Sequence, residues 1–307
     1  MQFEFLLSKI QHLSVVTQLE LRISDFELRE WQSEIQNPKS TMNSIPTTIF
    51  TNKTNTMDKI QLSKIDTRAP KKLNKDRVKK ELQKLKFRLE ELQNLLFAES
   101  KHAVLIILQG MDASGKDGAV RNVFESVNPM GCRVVAFKAP TPLEMKHDFL
   151  WRIHQQVPEK GMIYIFNRSH YEDVLIQRVH HWVDEKTIKQ RYDHINNFEK
   201  LLVETGTHVL KFYLHISQGE QLERLEERLS DKTKMWKHND SDLKEREYWD
   251  DYMKSYELAF ANCSNHAEWN IVPADQNWYK EYVIAKKVVE TLEGFKMKFP
   301  GLKAAQK

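Results

Sequence analysis

The sequence predicts an α/β fold with three layers, in which a five-stranded parallel sheet lies between two layers of helices. Five short apolar runs alternate with helical stretches, and this alternation requires right-handed crossovers between parallel strands. The first run leads directly into a glycine-rich loop and then into a helix, an arrangement that binds phosphate. We therefore expect ligands at the carboxyl ends of the strands. The predicted strands are Val104–Leu108, Arg133–Phe137, Met162–Phe166, His208–His215 and Trp269–Val272.

The composition of the 307-residue chain excludes several classes of protein. Its 47 basic and 43 acidic residues leave a net charge of +4, so affinity for a polyanion requires a local cluster of charges. The two cysteines, Cys132 and Cys263, lack the spacing of a zinc site or a disulfide framework and fit a reducing compartment. No apolar run approaches the roughly 18 residues of a membrane span, and the opening residues lack the pattern of a secretory leader. We expect a cytoplasmic protein that binds neither membranes nor nucleic acid.

Residues 1–56 differ in composition from the rest of the chain. The stretch Gln36–Thr56 is rich in Asn, Ser, Thr and Pro, as linkers are, and Met57 opens a segment that resembles an ordinary protein start. We interpret residues 1–56 as a peripheral extension or a misassigned start. The remaining parts are an N-terminal segment with a long helix at 57–100, the core at 101–300 with a lid at about 217–240, and a tail at 301–307.

Between Lys71 and Glu99 the sequence predicts a long helix. Its leucines repeat at alternating spacings of three and four, which places them in one apolar stripe. The stripe either packs against the main domain or pairs with another copy of the chain, and we expect a homo-oligomer. The leucines are Leu82, Leu85, Leu89, Leu92 and Leu96.

The loop after the first strand carries a phosphate-binding pattern, G-x-x-x-x-G-K-D, at residues 110–117. Gly110 and Gly115 permit backbone angles that a β-carbon would block. The loop amides and the start of the helix point toward an anion, and Lys116 adds a mobile positive charge. A glycine-rich turn without a ligand is the alternative. We assign phosphate binding to Gly110, Ser114, Gly115 and Gly118.

Two acidic residues, Asp112 and Asp117, belong to this pattern. Carboxylates repel a phosphate unless a divalent cation lies between them. Mg²⁺ binds through one or two carboxylates together with phosphate oxygens, so we predict a Mg²⁺ site formed by Asp112 and Asp117. Alternatively, Asp112 is a turn residue that bonds its own backbone, and Asp117 is an acidic residue of the kind favoured in the first turn of a helix.

Polar residues follow the third predicted strand and therefore reach the same edge of the sheet. Asn167 can orient a metal-bound water, and Arg168 can stabilise charge on transferring phosphoryl oxygens. Arg178 lies ten residues after Arg168 on the following helix and can face the same cleft. Structural pairing with Glu172 or Asp173 is the alternative for both arginines.

The stretch Gln221–Lys237 combines an apolar stripe with a cluster of cations. Arg224 and Arg228, four residues apart on a helix, project together, and three lysines follow them. Such a segment, inserted between the fourth and fifth strands, suits a lid that closes over phosphates and excludes water. A solvated helix whose cations pair with Glu227, Asp231 and their neighbours is the alternative. We assign phosphate binding to Arg224, Arg228, Lys234 and Lys237, and also to Lys138, which follows the second strand.

Seven sequence blocks occur here in the order found in the polyphosphate kinase 2 family, which the chain resembles from about Leu62 to Phe299. The spelling is most similar to the subset that accepts both nucleoside mono- and diphosphates. The resemblance implies a P-loop kinase core with a helical lid, and Asn167 stands where some relatives have Asp. The blocks are GMDASGKDG at 110–118, FKAP at 137–140, HDFLWR at 147–152, IFNRSHYEDVLIQRVH at 165–180, RLEER to MWK at 224–237, DLKEREYWDDY at 242–252 and VPAD at 272–275.

We therefore expect a phosphotransferase that moves the terminal phosphoryl group of inorganic polyphosphate to a nucleoside mono- or diphosphate. The resemblance implies AMP and ADP, or GMP and GDP, as acceptors, a reversible reaction, and Mg²⁺ or Mn²⁺ as the cofactor. An ATP-dependent nucleoside monophosphate kinase and a non-catalytic polyanion-binding protein with the same loop are the alternative hypotheses. The expected catalytic residues are Asp112, Lys116, Asp117, Asn167, Arg168 and Arg178.

Overall fold

A parallel sheet of five strands forms the centre of the protein, as the sequence predicts. The computed structural model describes residues 60–237 and 240–301. The strands are β1 (Ala103–Gln109), β2 (Cys132–Ala136), β3 (Ile163–Asn167), β4 (Thr207–His215) and β5 (Trp269–Pro273). They lie in the order β2-β3-β1-β4-β5, and every neighbouring pair is parallel.

Helices connect the strands and flank the sheet, as right-handed crossovers between parallel strands require. In the described part of the chain they are α1 (Lys75–Glu99), α2 (Lys116–Val123), α3 (Trp151–His154), α4 (Ile176–Val179), α5 (Glu185–Glu204), α6 (Gln218–Ser230), α7 (Asp240–Glu245), α8 (Trp249–Asn262) and α9 (Asn277–Gly294). The helix that follows the glycine-rich loop is α2, and the predicted lid begins with α6.

Strand β1 lies at the middle of the sheet, between β3 and β4, and all of its residues are buried. A parallel strand covered on both faces needs an almost continuous apolar sequence, which AVLIILQ provides. Strand β2 lies at the edge, and Arg133, Val134 and Ala136 are exposed there. The carboxyl end of β1 therefore meets those of β3 and β4 at the edge of the sheet where ligands bind.

Helix α1 packs against α9, near the other end of the chain. It begins at Lys75 rather than at Lys71, because the Asn74 side chain accepts a hydrogen bond from the Arg77 N–H and caps the helix. The prediction that the leucine stripe packs against the main domain is confirmed, whereas pairing between copies stays a prediction. The buried apolar residues of the helix are Val78, Leu82, Leu89, Leu92 and Leu96, and Leu85 is half-buried.

A buried ionic cluster fixes the segment that follows β3. The Lys211 ammonium, on β4, donates to Glu199 Oε2 at 2.7 Å and to Tyr171 Oη at 2.8 Å. It also donates to Cys263 O at 2.6 Å. Burial raises the pKa of the Glu199 carboxyl, but the charges and hydrogen bonds of Lys211 and His170 together outweigh burial and lower that pKa. The cluster thus ties β4 and α5 to Tyr171, three residues after Arg168.

Two predictions about the ends of the chain lie outside the described residues. They concern the extension at 1–56 and residues 302–307 of the predicted tail. The described residues belong to one unit, Thr47–Lys307. Among them, no helix combines the length and the apolar character needed to cross a membrane.

Candidate active site

The loop between β1 and α2 has the backbone shape of a phosphate cradle. Gly110 and Gly115 have φ angles of 151° and 89°, which L side chains rarely adopt. A β-carbon on Gly110 would lie 2.8 Å from Ser114 Oγ, and one on Gly115 would lie 2.2 Å from Lys280 Nζ. Both positions therefore require glycine. Gly118, in the first turn of α2, instead has open space where a β-carbon would be.

Two side chains of the loop, Lys116 and Ser114, are buried where an anion would bind. The Lys116 ammonium donates to Gly110 O at 2.7 Å and to Met111 O at 3.2 Å. Burial and the nearby Arg168 lower the pKa of Lys116 to about 8. The Ser114 hydroxyl has no hydrogen-bond partner among the described residues. An ionised oxygen is a stronger hydrogen-bond acceptor than a neutral carbonyl, so a bound phosphate can replace these carbonyls as the acceptor of the Lys116 ammonium.

Three side chains from α6 and α9 bind the outer side of the loop, and we call Gln221, Arg224 and Lys280 the outer clamp. Each donates to backbone carbonyl oxygens of the loop. Because the C=O and N–H groups of a planar trans peptide point in opposite directions, holding the carbonyls on one side turns the following amides to the other. The outer clamp therefore presents the loop amides to an anion. The contacts are Gln221 Nε2 to Asp112 O at 3.0 Å, Arg224 Nη1 to Ala113 O at 3.0 Å, and Lys280 Nζ to Gly115 O at 3.2 Å and Ser114 O at 3.4 Å.

Arg224 contacts two separate segments of backbone. Besides its contact with the loop, its Nη2 donates to Ala274 O at 2.8 Å and to Asp275 O at 2.9 Å. The guanidinium is thus directed to backbone carbonyls on the outer side of the loop, because the first turns of α6 pack there. Arg224 and Arg228 therefore have different partners, backbone carbonyls for the first and Asp242 for the second. The predicted contact of Arg224 with phosphate stays a prediction.

Asp112 and Asp117 lie at the same end of β1, each beside a residue from the end of β3. Arg168 Nη2 donates to Asp112 Oδ1, and Asn167 Nδ2 donates to Asp117 Oδ1 at 2.7 Å. Burial raises the pKa of Asp112, but the neighbouring positive charges, Arg168 first, outweigh burial and hold that pKa below its usual value. Arg168 also pairs with Glu172 at 3.4 Å, as the alternative interpretation predicts. The structure thus brings together Asp112, Lys116, Asp117, Asn167 and Arg168.

The two carboxylates fit a divalent ion that the substrate also holds. In the described part of the chain, no group of three or more His, Cys, Asp or Glu side chains could hold a metal ion by itself. Mg²⁺ does not need such a group, since one or two carboxylates, substrate phosphates and water complete its shell. The low pKa of Asp112 keeps its carboxylate charged at neutral pH. The metal-binding role of Asp112 and Asp117 stays a prediction.

Arg228, one turn after Arg224 on α6, faces the acidic residues. Its Nη1 pairs with Asp242 Oδ2 at 2.8 Å, and its charge helps to lower the pKa of Asp112. Burial and the nearby Asp112 in turn raise the pKa of Asp242. Arg228 therefore lies between two carboxylates, and its predicted contact with phosphate stays a prediction.

Beyond α6, Lys234 pairs with nearby carboxylates, as the alternative of a solvated charged segment predicts. Lys234 pairs with Glu227 at 2.6 Å and with Asp231 at 3.4 Å, so its charge is neutralised within its own segment. The side chain of Lys237 lies outside the described part of the structure. Phosphate binding by Lys234 and Lys237 stays a prediction.

Two further predicted residues have other neighbours. Arg178 Nη1 donates to Ser255 Oγ at 3.1 Å, and its Nη2 pairs with Glu185 at 2.9 Å. Lys138 is exposed, and its carbonyl accepts a hydrogen bond from Arg152 at 2.8 Å. Neither side chain contacts the acidic pair within the described residues, so their functional roles stay predictions.

Sequence reasoning missed Gln221 and Lys280 as contacts of the loop. Lys280 lies in the first turn of α9 between Tyr279 and Glu281, where a lysine is ordinarily solvated. Gln221 precedes the arginine of the predicted lid and carries no charge that could mark it. The one available signal is the position of Lys280 directly after the last strand, at the same edge of the sheet as the loop.

Comparison with known proteins decides the family. The family described as polyphosphate kinase 2 (PPK2) matches residues 72–300, which is most of the chain. The chain belongs to the polyphosphate kinase 2 family. A relative from Meiothermus ruber, named AMP/ADP-polyphosphate phosphotransferase, is 51% identical over 214 residues, covering 69% of this chain and 80% of the relative. Another from Rhodopseudomonas palustris, named ADP-polyphosphate phosphotransferase, is 43% identical over 226 residues, covering 69% and 78%.

Solved structures agree with this assignment to the polyphosphate kinase 2 family. The crystal structure of polyphosphate kinase 2 from Arthrobacter aurescens TC1 superposes with a TM-score of 0.78 and 42% identity, covering 80% of this chain and 90% of that one. The predicted fold class and the prediction of a phosphotransferase are confirmed. Kinases of this family generally depend on a divalent metal ion.

Proposed function

We propose that this polyphosphate kinase 2 moves the terminal phosphoryl group of inorganic polyphosphate to AMP and ADP, and that the reaction is reversible. The observation that carries the proposal is the position of the cradle. Buried Lys116 and the clamped loop amides lie at one edge of the sheet with Asp112 and Arg168. The relatives named for AMP/ADP and for ADP support these acceptors. GMP and GDP are the next acceptors to test.

The side chains of the site suffice for positioning and charge neutralisation, which account for most of the catalysis of phosphoryl transfer. The loop amides and Lys116 hold oxygens of the transferring group. Arg168 stabilises the negative charge that spreads over those oxygens as the bond to the donor breaks. The acceptor phosphate is already anionic at neutral pH, so the reaction requires no strong general base.

Asp112 and Asp117 would hold a Mg²⁺ or Mn²⁺ ion, which supplies neutralisation of charge between donor and acceptor phosphates when it is bound. Asp112 accepts a hydrogen bond from Arg168 and Asp117 accepts one from Asn167, and a carboxylate has about four lone-pair sites in all. The Asn167 amide donates to Asp117 through its nitrogen, which leaves the amide oxygen for a water molecule.

The remaining cations are proposed to bind phosphate from the lid side. Arg228 is the strongest candidate, because its charge already reaches Asp112. Lys234 would first have to leave Glu227 and Asp231. We also propose a homo-oligomer in the cytoplasm, where free thiols such as Cys132 and Cys263 persist; light scattering of the purified protein tests the oligomer.

The deciding experiment supplies purified protein with ADP, Mg²⁺ and polyphosphate as the sole donor. We expect ATP to form, and a Lys116→Ala preparation purified in the same way controls for contaminating kinases. Failure to form ATP from polyphosphate would refute the proposal. An ATP-dependent monophosphate kinase would instead phosphorylate AMP with ATP alone. A non-catalytic protein would bind polyphosphate and yield no product with any acceptor.

A further inference from the structure

The backbone of Arg168 is left-handed, with a φ angle of 64°. A residue with a β-carbon rarely adopts this conformation, which persists only where the surrounding structure holds it. Successive side chains of an extended strand point to opposite faces of the sheet. Because Arg168 leaves the extended conformation, its side chain and that of Asn167 both reach the acidic pair. The left-handed turn therefore places the arginine in the site.

Ser169, which directly follows Arg168, is held by two hydrogen bonds. Its hydroxyl oxygen accepts one from the Tyr171 N–H at 3.2 Å. It accepts the other from Gln109 Nε2 at 3.1 Å, and both Gln109 and Ser169 are fully buried. Gln109 is the last residue of β1 and precedes Gly110. The contact between the two side chains thus joins the start of the cradle to the turn that carries Arg168.

Two consecutive residues of β1 hold two consecutive residues after β3. The Arg168 N–H donates to Leu108 O at 3.1 Å, and the next residue of each segment forms the contact between Gln109 and Ser169. The first bond continues the ladder of the parallel sheet and forms with any residue except proline at position 168. The second bond depends on the side chains. It is therefore the one that the sequence itself adds at this turn.

Stability alone gives no reason for an amide at position 109. The other residues of β1 are apolar, and burial of an amide costs free energy unless its polar atoms are hydrogen-bonded. Gln109 Nε2 donates to Ser169, but Gln109 Oε1 has no partner among the described residues. A methionine would fill nearly the same space and bury no amide. The glutamine is better explained by what it holds in place than by what it contributes to folding.

We propose that Gln109 is a positioning residue for phosphoryl transfer, which holds Arg168 in its left-handed conformation through Ser169. This rests on the proposed function, in which Arg168 stabilises charge on the transferring group. Gln109 is fully buried and offers no surface to a substrate, so it acts through the arginine. Loss of the hydrogen bond lets the turn relax toward extended angles and moves the guanidinium away from the transferring oxygens. A displacement of about 1 Å can lower a rate on the order of a hundredfold.

The test is Gln109→Met, measured by the rate of ATP formation from polyphosphate and ADP. We expect kcat to fall roughly tenfold to hundredfold, because the arginine acts on charge that develops in the transition state. The KM of each substrate should stay within about twofold of the wild-type value. The thermal unfolding midpoint should stay close to that of the wild type, since the variant buries no amide oxygen without a partner.

The matched control is Asn270→Leu, which removes another buried amide from the sheet. Asn270 Nδ2 donates to Lys211 O at 3.0 Å, and its Oδ1 has no partner in the described part of the chain. The control resembles Gln109→Met in chemistry but lies on β5, so it should leave kcat unchanged. An equal fall of kcat in the control would overturn the proposal, as would an unchanged kcat in Gln109→Met or a rise in KM in place of the fall in kcat.

Ser169→Ala removes the acceptor of the same hydrogen bond and should lower kcat at least as far. Adding Gln109→Met to this variant should cost no further activity, because the contact is already absent. Losses that multiply in the double variant would overturn the proposal. Should Gln109→Met fail to fold, Ser169→Ala compared with Asn270→Leu decides the proposal on the same criteria.

A crystal structure of Gln109→Met separates this proposal from the proposed function, because it requires no turnover. We expect the φ angle of Arg168 to become negative and the guanidinium to move away from Asp112. An unchanged Arg168 in that structure would overturn the proposal. A wild type that made no ATP from polyphosphate would refute the proposed function, while the crystal structure still decided whether Gln109 positions Arg168.

Discussion

Replacing Lys280 by Met tests whether the outer clamp sets the direction of the loop amides. The buried ammonium donates to Gly115 O at 3.2 Å, Ser114 O at 3.4 Å and Asn277 Oδ1 at 2.8 Å. Methionine keeps the length of the side chain and removes all three donors. A buried carbonyl left without a partner costs about 1–3 kcal/mol, so we expect kcat/KM for polyphosphate to fall roughly tenfold to hundredfold.

The same substitution has a signature in the pH dependence of stability. Burial and the nearby Arg224 lower the pKa of Lys280 to about 7, from 10.5. Between these values the unfolded chain binds more protons than the folded protein, so the free energy of unfolding of the wild type rises with pH, by up to about 1.4 kcal/mol per pH unit. Below the folded pKa the lysine is charged in both states, so the free energy of unfolding no longer changes with pH through this group. The Met variant lacks this titrating group. Between pH 7 and 9 the free energy of unfolding of the wild type should therefore rise, relative to that of the variant, by up to about 2–3 kcal/mol.

Urea unfolding followed by tryptophan fluorescence, at intervals from about pH 6 to pH 9, measures this difference. The control is Lys287→Met, which removes a half-buried lysine two turns later on the same helix. It should leave both the pH dependence and kcat/KM close to those of the wild type. A difference between wild type and Lys280→Met that stays constant with pH would show that the pKa of Lys280 is not lowered by burial, and an unchanged kcat/KM would show that its amine does not hold the loop.

Three further substitutions test the cradle, the acidic pair and the buried cluster. Lys116→Ala should lower kcat at least about 100-fold in steady-state assays, because it removes a charge from the transferring oxygens; an unchanged kcat would contradict that role. Asp112→Asn should abolish turnover while calorimetry shows polyphosphate binding retained or tightened, because a negative charge leaves the phosphate site. Lys211→Met should destabilise the fold by about 3–5 kcal/mol in urea unfolding, since it leaves Glu199 charged and buried alone. Adding Glu199→Leu should restore most of that loss, and a double variant no more stable than the single one would contradict the pairing.

The strands could be predicted from the sequence to within one residue at each end. Each is a short apolar run, and burial of such a run in a parallel sheet is decided locally. The cradle was predictable for a related reason, because the positive φ angles of the loop require glycine at positions 110 and 115. The start of α1 was less predictable, because both Lys71 and Lys75 suit a helix and the cap from Asn74 decides between them.

Side-chain partners were harder to predict than elements. Spacing places Arg224 and Arg228 on adjacent turns of one helix, but it cannot show which turn packs against the loop. The structure directs Arg224 to backbone carbonyls and leaves Arg228 beside Asp112. Lys280 was missed because its role depends on how α9 packs under the loop, more than 160 residues away in sequence. Such long-range contacts leave no local pattern.

Helix α6 connects the predicted lid with the phosphate cradle. Gln221 and Arg224, in the first two turns, hold loop carbonyls, so this part of the helix and the loop share one set of hydrogen bonds. Arg228, one turn later, lies between Asp242 and Asp112. A phosphate bound by the loop amides therefore contacts peptide groups whose carbonyls are hydrogen-bonded to α6, the helix that also carries Arg228. We propose that occupation of the cradle and the position of Arg228 are coupled through α6. Closure of the predicted lid would then come from residues beyond the turns that hold the loop.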